Sequence, residues 1–332
     1  MLKKILLVNC SVLLLLLTSS KKHVSNDYRL LEMSPGIWAA IHDDASGEAI
    51  CNAGIIDLGD KTVVVDAFIS PYAAMNLKKD AERLTGRQVT YLVNTHYHND
   101  HTRGNQIFSS PTKIISSRIT QNLFLKNDTA SLSQEKKYVP KSLEDAEKRM
   151  RNASAENIDE EKSWYNYYKA LNRSLNMINS TPPEVVFNDT YQIKGKTRTV
   201  ILKEFKNGHS ASDVVVMLPK DGVVFMGDLL FNQRHPFLAE GNPDSLLHHL
   251  EYFKSCSELK KFIPGHGPVA QPADLDSMQL YIRFIQNTAA GAIKNKVSDA
   301  EIFQQPLPAP YNSWLLKGFF RPNYLSVKES LK

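Results

Sequence analysis

Cysteine is scarce in this 332-residue chain: Cys10, Cys51 and Cys256 are the whole complement. Cys10 lies inside an N-terminal apolar run, so the remainder can form at most one disulfide, which excludes a disulfide-stapled scaffold. Cys51 falls in an apolar run and Cys256 near the end of an expected helix, so two ordinary buried thiols are expected rather than a bridge or a nucleophile. The chain also has no Gly-x-Ser-x-Gly elbow, and no convincing Ser/His/Asp signature replaces it. Neither sign of charge dominates. Net charge is +5, with 40 basic residues dispersed among 35 acidic ones, so nothing marks the chain for nucleic acid. No internal repeat is visible. A composition of 42% hydrophobic and 23% charged residues excludes a mainly disordered chain, and the length suffices for a large core.

The N-terminus stands apart from the rest. Lys3-Lys4 precedes an apolar stretch over 5–17 that ends in five leucines, and Thr18-Ser19-Ser20 supplies small residues for cleavage. This pattern reads as a secretory signal over residues 1–20, too short for a comfortable membrane span. The expectation is an exported, periplasmic protein with no stable span after cleavage. Because the cleavage site lacks alanines, an uncleaved anchor is the alternative. The folded part is expected over 27–332.

Strand-like runs follow at 28–33, 36–42, 49–57 and 61–67, separated by turn residues. Residues 71–84 read as a helix, with Ser70 as N-cap, Pro71 at the first position and Gly86 beyond the end. A short buried strand is expected over 88–93. Residues 117–180 differ: charges of both signs are nearly balanced and aromatics cluster in Trp164-Tyr165-Asn166-Tyr167-Tyr168. This segment reads as a helical insertion of two or three helices, with Pro140 starting or interrupting one. Its charged face is expected in solvent and its aromatic stripe against the body. The alternative is that the stripe overhangs a site and touches substrate. Strands resume at 184–187, 197–205, 213–218 and 222–226, and helices at 244–256 and 275–290.

The chemistry is concentrated in His96-Tyr97-His98-Asn99-Asp100-His101. Three imidazoles and a carboxylate within six residues are the donor types that zinc accepts when thiolates are absent. Residues two apart in an extended segment share a side, so His96 and His98 can grip one ion, while Asp100 and His101 turn toward a second. The cluster sits on a loop just past a strand end, where α/β folds place binding groups. Each ion needs further ligands, and the second half offers three beside glycines at strand ends: His209 after Gly208, Asp228 after Gly227, and His266 between Gly265 and Gly267.

With these residues the chain resembles the metallo-β-lactamase superfamily over roughly 30–290, apart from the charged insertion. Five signatures occur in order: Asp66 after Val63-Val64-Val65, the His-x-His-x-Asp-His run, His209, Asp228 and His266. The resemblance implies an α/β fold, a four-layer αβ/βα sandwich with the site along one edge between two sheets. It implies that His96, His98 and His209 hold one zinc, that Asp100, His101 and His266 hold a second, and that Asp228 bridges them. Asp66 would orient a ligand, and Asp100 would relay a proton. The implied chemistry is metal-activated water attacking the carbonyl of an ester, thioester, lactone or β-lactam. Manganese or iron would suit the same donors.

Asp at 228 disfavours the lactamases with a cysteine ligand and resembles the glyoxalase II-like branch. The run Gly227–Phe237 resembles exported zinc hydrolases associated with quinoprotein oxidation. A β-lactamase proper and a mononuclear iron dioxygenase of sulfur compounds are the alternatives within the superfamily. Arg234 and His235 follow the bridging Asp in a loop expected at the site mouth. Arg234 reads either as an anchor for a substrate carboxylate or as a structural Arg paired with a local acid. The expected partner is a small-molecule substrate.

Overall fold

The computed structural model describes residues 25–44 and 47–332; the secretory pattern at 1–20 and part of the turn at 45–47 lie outside them. Among the described residues, the first sheet contains β1 (Tyr28–Ser34), β2 (Ile37–His42), β3 (Ala53–Asp57), β4 (Thr62–Val65), β5 (Tyr91–Val93), β6 (Lys113–Ser117) and β7 (Val185–Phe187), in that order. Its first four strands pair antiparallel, and β4 to β7 pair parallel. The second sheet contains β8 (Thr190–Lys194), β9 (Thr199–Lys206), β10 (Ser212–Leu218), β11 (Val223–Phe231) and β12 (Lys261–His266), ordered β12-β11-β10-β9-β8.

Strand alternation explains the layering. In β4, Val63 and Val65 point into the cluster between the sheets, where they join Val200, Leu202, Val214, Val216 and Phe225 of the second sheet. Val64 points the other way, onto Ala73, Leu77 and Ala81 of α1 (Pro71–Thr85). A strand buried on both faces therefore reads as an unbroken β-branched run. The outer face of the second sheet is covered by α5 (Pro243–Ser255), α6 (Pro272–Asn295) and the C-terminal helix (Phe320–Ser330), which contribute Leu246, Leu250, Met278, Ile282 and Tyr324. Helix, sheet, sheet, helix is the expected four-layer αβ/βα sandwich.

Several local expectations need correction. Strand β3 begins at Ala53 rather than at 49. Ile50 has φ 71°, and the Asn52 side chain donates to the carbonyls of Pro264 and Gly267, so this stretch ties the two sheets together instead of extending one. Strand β8 escaped the sequence reading because its residues are polar and only Ile193 is buried. Ser70 occupies the N-cap position of α1, but its hydroxyl turns to Glu48. The insertion is two helices, α3 (Arg118–Arg151) and α4 (Ile158–Ser174), and Pro140 lies inside α3 without ending it. Burial of Val139 in a small cluster with Ile69, Ala170 and Leu171 holds that turn together despite the missing N–H. No helix among the described residues is long and apolar enough to cross a membrane.

Candidate metal centre

The floor of the site is laid by strand ends from both sheets. Strand β4 is followed by Asp66, whose φ of 58° turns its carboxylate under the loop after β5. There Asp66 accepts from the Thr95 N–H and hydroxyl, each at 2.8 Å, and from His101 Nδ1 at 2.8 Å. That last bond fixes the His101 tautomer and leaves Nε2 as the acceptor. His96 and His98 precede the single turn of α2 (Asn99–Thr102), which swings Asp100 and His101 away from them. Mutual amide bonds between Asn94 and Asn105, both 2.9 Å, close the base of this loop.

The second sheet supplies the rest. His209 sits in the β9–β10 turn, where Asp213 accepts its backbone N–H at 2.9 Å. Its Nδ1 donates to the Phe237 carbonyl at 3.0 Å, which leaves Nε2 as an acceptor. Asp228 lies within β11 rather than after it, because the strand continues past an irregular register at Gly227. A Cβ on Gly265 would stand 1.8 Å from Asp228 Oδ1, so only glycine lets His266, at the end of β12, approach from that side.

The structure brings the seven sequence-predicted metal ligands into two adjoining groups. His96, His98, His209 and Asp228 form one, and Asp100, His101 and His266 the other; within each, the ligand atoms lie within 4.8 Å of one another. Asp228 stands between them. Its Oδ2 is 3.8 Å from His96 Nε2, 3.4 Å from His209 Nε2 and 3.5 Å from His266 Nε2, while its Oδ1 is 3.1 Å from His101 Nε2. Asp100 Oδ2 is 3.2 Å from His266 Nε2. Ligands on a tetrahedral ion with bonds of ~2.0–2.2 Å stand ~3.3–3.6 Å apart, so this spacing suits a metal.

Unmatched acceptors carry the same message. His98 Nε2 lies 3.1 Å from Glu240 Oε2, an acceptor, so His98 Nδ1 carries the lone pair. That lone pair faces the lone pair of His209 Nε2 at 2.9 Å. His96 Nε2, His101 Nε2 and Asp228 Oδ1 are buried without any hydrogen-bond partner. Such acceptors can share a site only around a cation, either a proton or a metal ion.

The proton distribution reflects this crowding. Burial dominates at His209 and lowers it to about 4, and His96 is likewise held well below the usual imidazole range. At His266 burial also opposes the charge, but Asp228 and Asp100 outweigh it and raise the ring to about 9. Burial works against the Asp228 carboxylate too, yet His266, His101 and His209 hold it well below the usual range. Metal arriving here would displace the proton that His266 keeps.

Several contributing residues were not evident in the sequence. Glu240 accepts from both His98 and the Tyr97 hydroxyl. Arg103 is buried against Asp128 and Glu135 of α3, with Glu135 Oε1 at 2.9 Å, and Asn99 donates to the same oxygen at 2.8 Å. The charged insertion therefore clamps the ligand loop as well as facing solvent. The aromatic stripe packs on the body as expected, with Tyr167 and Tyr168 against the cluster of Ile69 and Leu171, and it also overhangs the site. Trp164, Tyr167 and Tyr168 line a cavity of about 310 Å³ over the two ligand groups. Cys51, remote in sequence, lies beneath the floor with its thiol 3.1 Å from the Asp100 carbonyl. Burial pushes that thiol up to about 12, so it is not a thiolate ligand. Cys256 is only half-buried, and both thiols are free.

At the mouth, one expectation is corrected and one open alternative is decided. His235 is fully buried away from the cavity, with Nε2 donating to the Tyr311 carbonyl at 2.9 Å and Nδ1 2.8 Å from the Tyr281 hydroxyl. It is a core residue, because the chain after β11 dives under the C-terminal segment instead of staying at the rim. Arg234 does line the cavity, but it is paired with Asp44 at 2.5 Å, which is the structural alternative raised for it.

Comparison with known proteins agrees with this architecture. The sequence model of the metallo-beta-lactamase superfamily matches residues 46–266. The fold is similar to that of a metallo-beta-lactamase from Pontibacter korlensis, at 15% identity and a TM-score of 0.56, over 77% of this chain and 99% of that one. It is also similar to DIM-1 metallo-beta-lactamase, at 17% identity and a TM-score of 0.54, over 78% and 98%. At these identities the likeness is one of fold. No curated protein sequence matches the chain.

Proposed function

The chain belongs to the metallo-β-lactamase superfamily, and from that premise we propose an exported, binuclear zinc hydrolase in which water attacks the carbonyl carbon and the acyl C–O, C–S or C–N bond of an ester, thioester, lactone or β-lactam is cleaved. Membership and the His/Asp groups make it a metal-dependent hydrolase; the metal's identity and number, the export and the substrate range are our reading. The observation that carries two ions rather than one is the position of Asp228, with Oδ2 toward His96 and His209 and Oδ1 toward His101. His96, His98 and His209 would hold the first ion, Asp100, His101 and His266 the second, with Asp228 shared. Ions held there supply Lewis acidity, lowering the pKa of water toward neutrality and polarising a carbonyl.

The residues of the chain prepare the site for that chemistry. Asp66 keeps the His101 Nδ1 proton and thereby aims Nε2 at the floor. Glu240 and Phe237 perform the same service for His98 and His209. Asp100 lies at the cavity edge and is the residue we assign to proton relay. The pattern at residues 1–20 supports export.

Metal analysis of the purified chain, followed by a side-by-side screen of nitrocefin, lactones and thioesters, tests this reading. Two zinc ions per chain and loss of hydrolysis on chelation are expected. One iron per chain would point instead to the dioxygenase branch, and unimpaired ester hydrolysis by metal-free protein would sink the proposal.

A further inference from the structure

The cavity over the ligand groups is small for a ligand site, at about 310 Å³, near the bottom of the roughly 300–1,000 Å³ range of such sites. Its upper wall comes from three segments remote in sequence. Helix α4 contributes Trp164 and Tyr168, the chain after β11 contributes Phe237, and the C-terminal region contributes Phe319. These rings form one continuous surface. Trp164 meets Phe319 edge-on with centroids 5.6 Å apart, Phe319 lies 5.3 Å from Phe237, and Tyr168 lies 6.5 Å from Trp164.

The polar edge of the indole is already engaged. Trp164 Nε1 donates to Glu160 Oε1 at 2.8 Å, and the other oxygen of Glu160 accepts the Leu316 N–H at 2.6 Å. That carboxylate pins the insertion helix to the C-terminal segment and leaves Trp164 to offer only its apolar ring.

Charge narrows the occupant further. Among the described lining residues, Arg234 is the one Lys or Arg. Its Nη2 is bonded to Asp44 Oδ2 at 2.5 Å and its Nη1 to the Gln233 carbonyl at 2.8 Å. His42 beside it is neutral: burial lowers it to about 4, and its Nδ1 accepts the Ile50 N–H. Away from the floor, this wall has no uncommitted cation for a substrate carboxylate, and Glu240 adds negative charge.

Resting on the hydrolase reading above, we propose that the substrate is an uncharged carboxylic ester or lactone bearing an aryl-sized apolar group, which packs against Trp164, Phe237 and Phe319. An apolar group of that size buried against aromatic rings favours binding by ~10–100-fold. A remote carboxylate finds no partner and is rejected. β-Lactam antibiotics, which carry such a carboxylate, are poor substrates on this account.

The test compares phenyl acetate with 4-carboxyphenyl acetate on the zinc-loaded full chain. The neutral ester is expected to have a kcat/KM about tenfold or more higher. Trp164→Ala should raise its KM about tenfold, a larger change than the same variant shows with methyl acetate, which has no aryl group to pack there. Asp44→Asn frees Arg234 and should lower the KM of the charged ester, a gain that misfolding cannot produce. Equal kcat/KM for the two aryl esters, with no response to Asp44→Asn, overturns the inference and leaves the hydrolase reading intact. If neither ester turns over, the ester-hydrolase reading fails, and calorimetric binding of acetanilide and 4-acetamidobenzoate decides the pocket by itself. Tighter binding of the neutral amide, lost in Trp164→Ala, upholds it; equal binding or none overturns it.

Discussion

The floor of the site and the wall above it are held in different ways. The floor is seven side chains on strand ends and the turns that leave them, and four of its five imidazoles are held by a further bond: His96 to the Thr95 hydroxyl, His98 to Glu240, His101 to Asp66 and His209 to the Phe237 carbonyl. The wall is a set of rings on α4, the chain after β11 and the C-terminal segment, joined by ring contacts, by the carboxylate of Glu160 and by the Asn323 amide, which donates to the Pro236 carbonyl and accepts the Leu238 N–H. A floor fixed by two sheets tolerates little displacement, as ligand geometry requires. A wall fixed by a helix and a tail can change its rings without disturbing the floor. The chemistry thus resides in the common scaffold and the selectivity in what is added to it.

The sharpest way to break this comparison is Asp228→Ala. Because that carboxylate serves both ligand groups, metal should be lost from both and hydrolysis should fall on the order of 1,000-fold, measured by metal content and kcat/KM. Retention of metal in one group would show that the two are independent.

Glu135→Ala probes a place where insertion and floor are joined. It strands the buried Arg103 with Asp128 alone and releases Asn99. Breaking a buried ion pair costs ~3–5 kcal/mol, so a lower Tm and weaker metal retention are expected together. An unchanged Tm would mean that the insertion merely covers the floor.

His235→Gln gives the smallest effect and concerns the segment behind the wall. Burial lowers His235 to about 4, against 6.5 for a free imidazole. With the folded pKa depressed, the folded chain resists a proton that the unfolded chain accepts. Stability present above pH 6.5 is therefore lost as pH falls toward 4, by about 3 kcal/mol in all. The glutamine variant should be less stable at neutral pH but flatter across that window in Tm. An equal slope in both proteins would place the acid sensitivity elsewhere.

Much of the scaffold could be read from residue order. Val63-Val64-Val65 announces a strand buried on both faces, and Pro71 with Gly86 brackets α1 within one residue of its end. Polar β8 could not be read this way, because an edge strand with one buried residue has no strong alternation to display. Pro140 predicted a break that packing of Val139 overrode. At the site, the seven metal-ligand candidates were legible because four of them crowd into residues 96–101 and the other three, His209, Asp228 and His266, each sit beside glycine. Glu240, Glu135 and Asp44 were not, since an acid in a loop or on a charged helix looks the same in sequence whether it meets solvent or a buried partner. His235 shows the opposite error, a reactive residue type near the site in sequence but buried in the core by the path of the chain.

Sequence alone determined the alternation that builds two facing sheets, the donor types of the floor and their distribution over the chain. Those properties are local: periodicity and residue chemistry act over a few positions. Only the tertiary structure decided that Asp228 stands between both ligand groups, that Arg234 is neutralised by an acid 190 positions earlier, and that Trp164, Phe237 and Phe319 form one wall. These depend on distances between segments far apart in the chain, and such distances are set by how the layers pack.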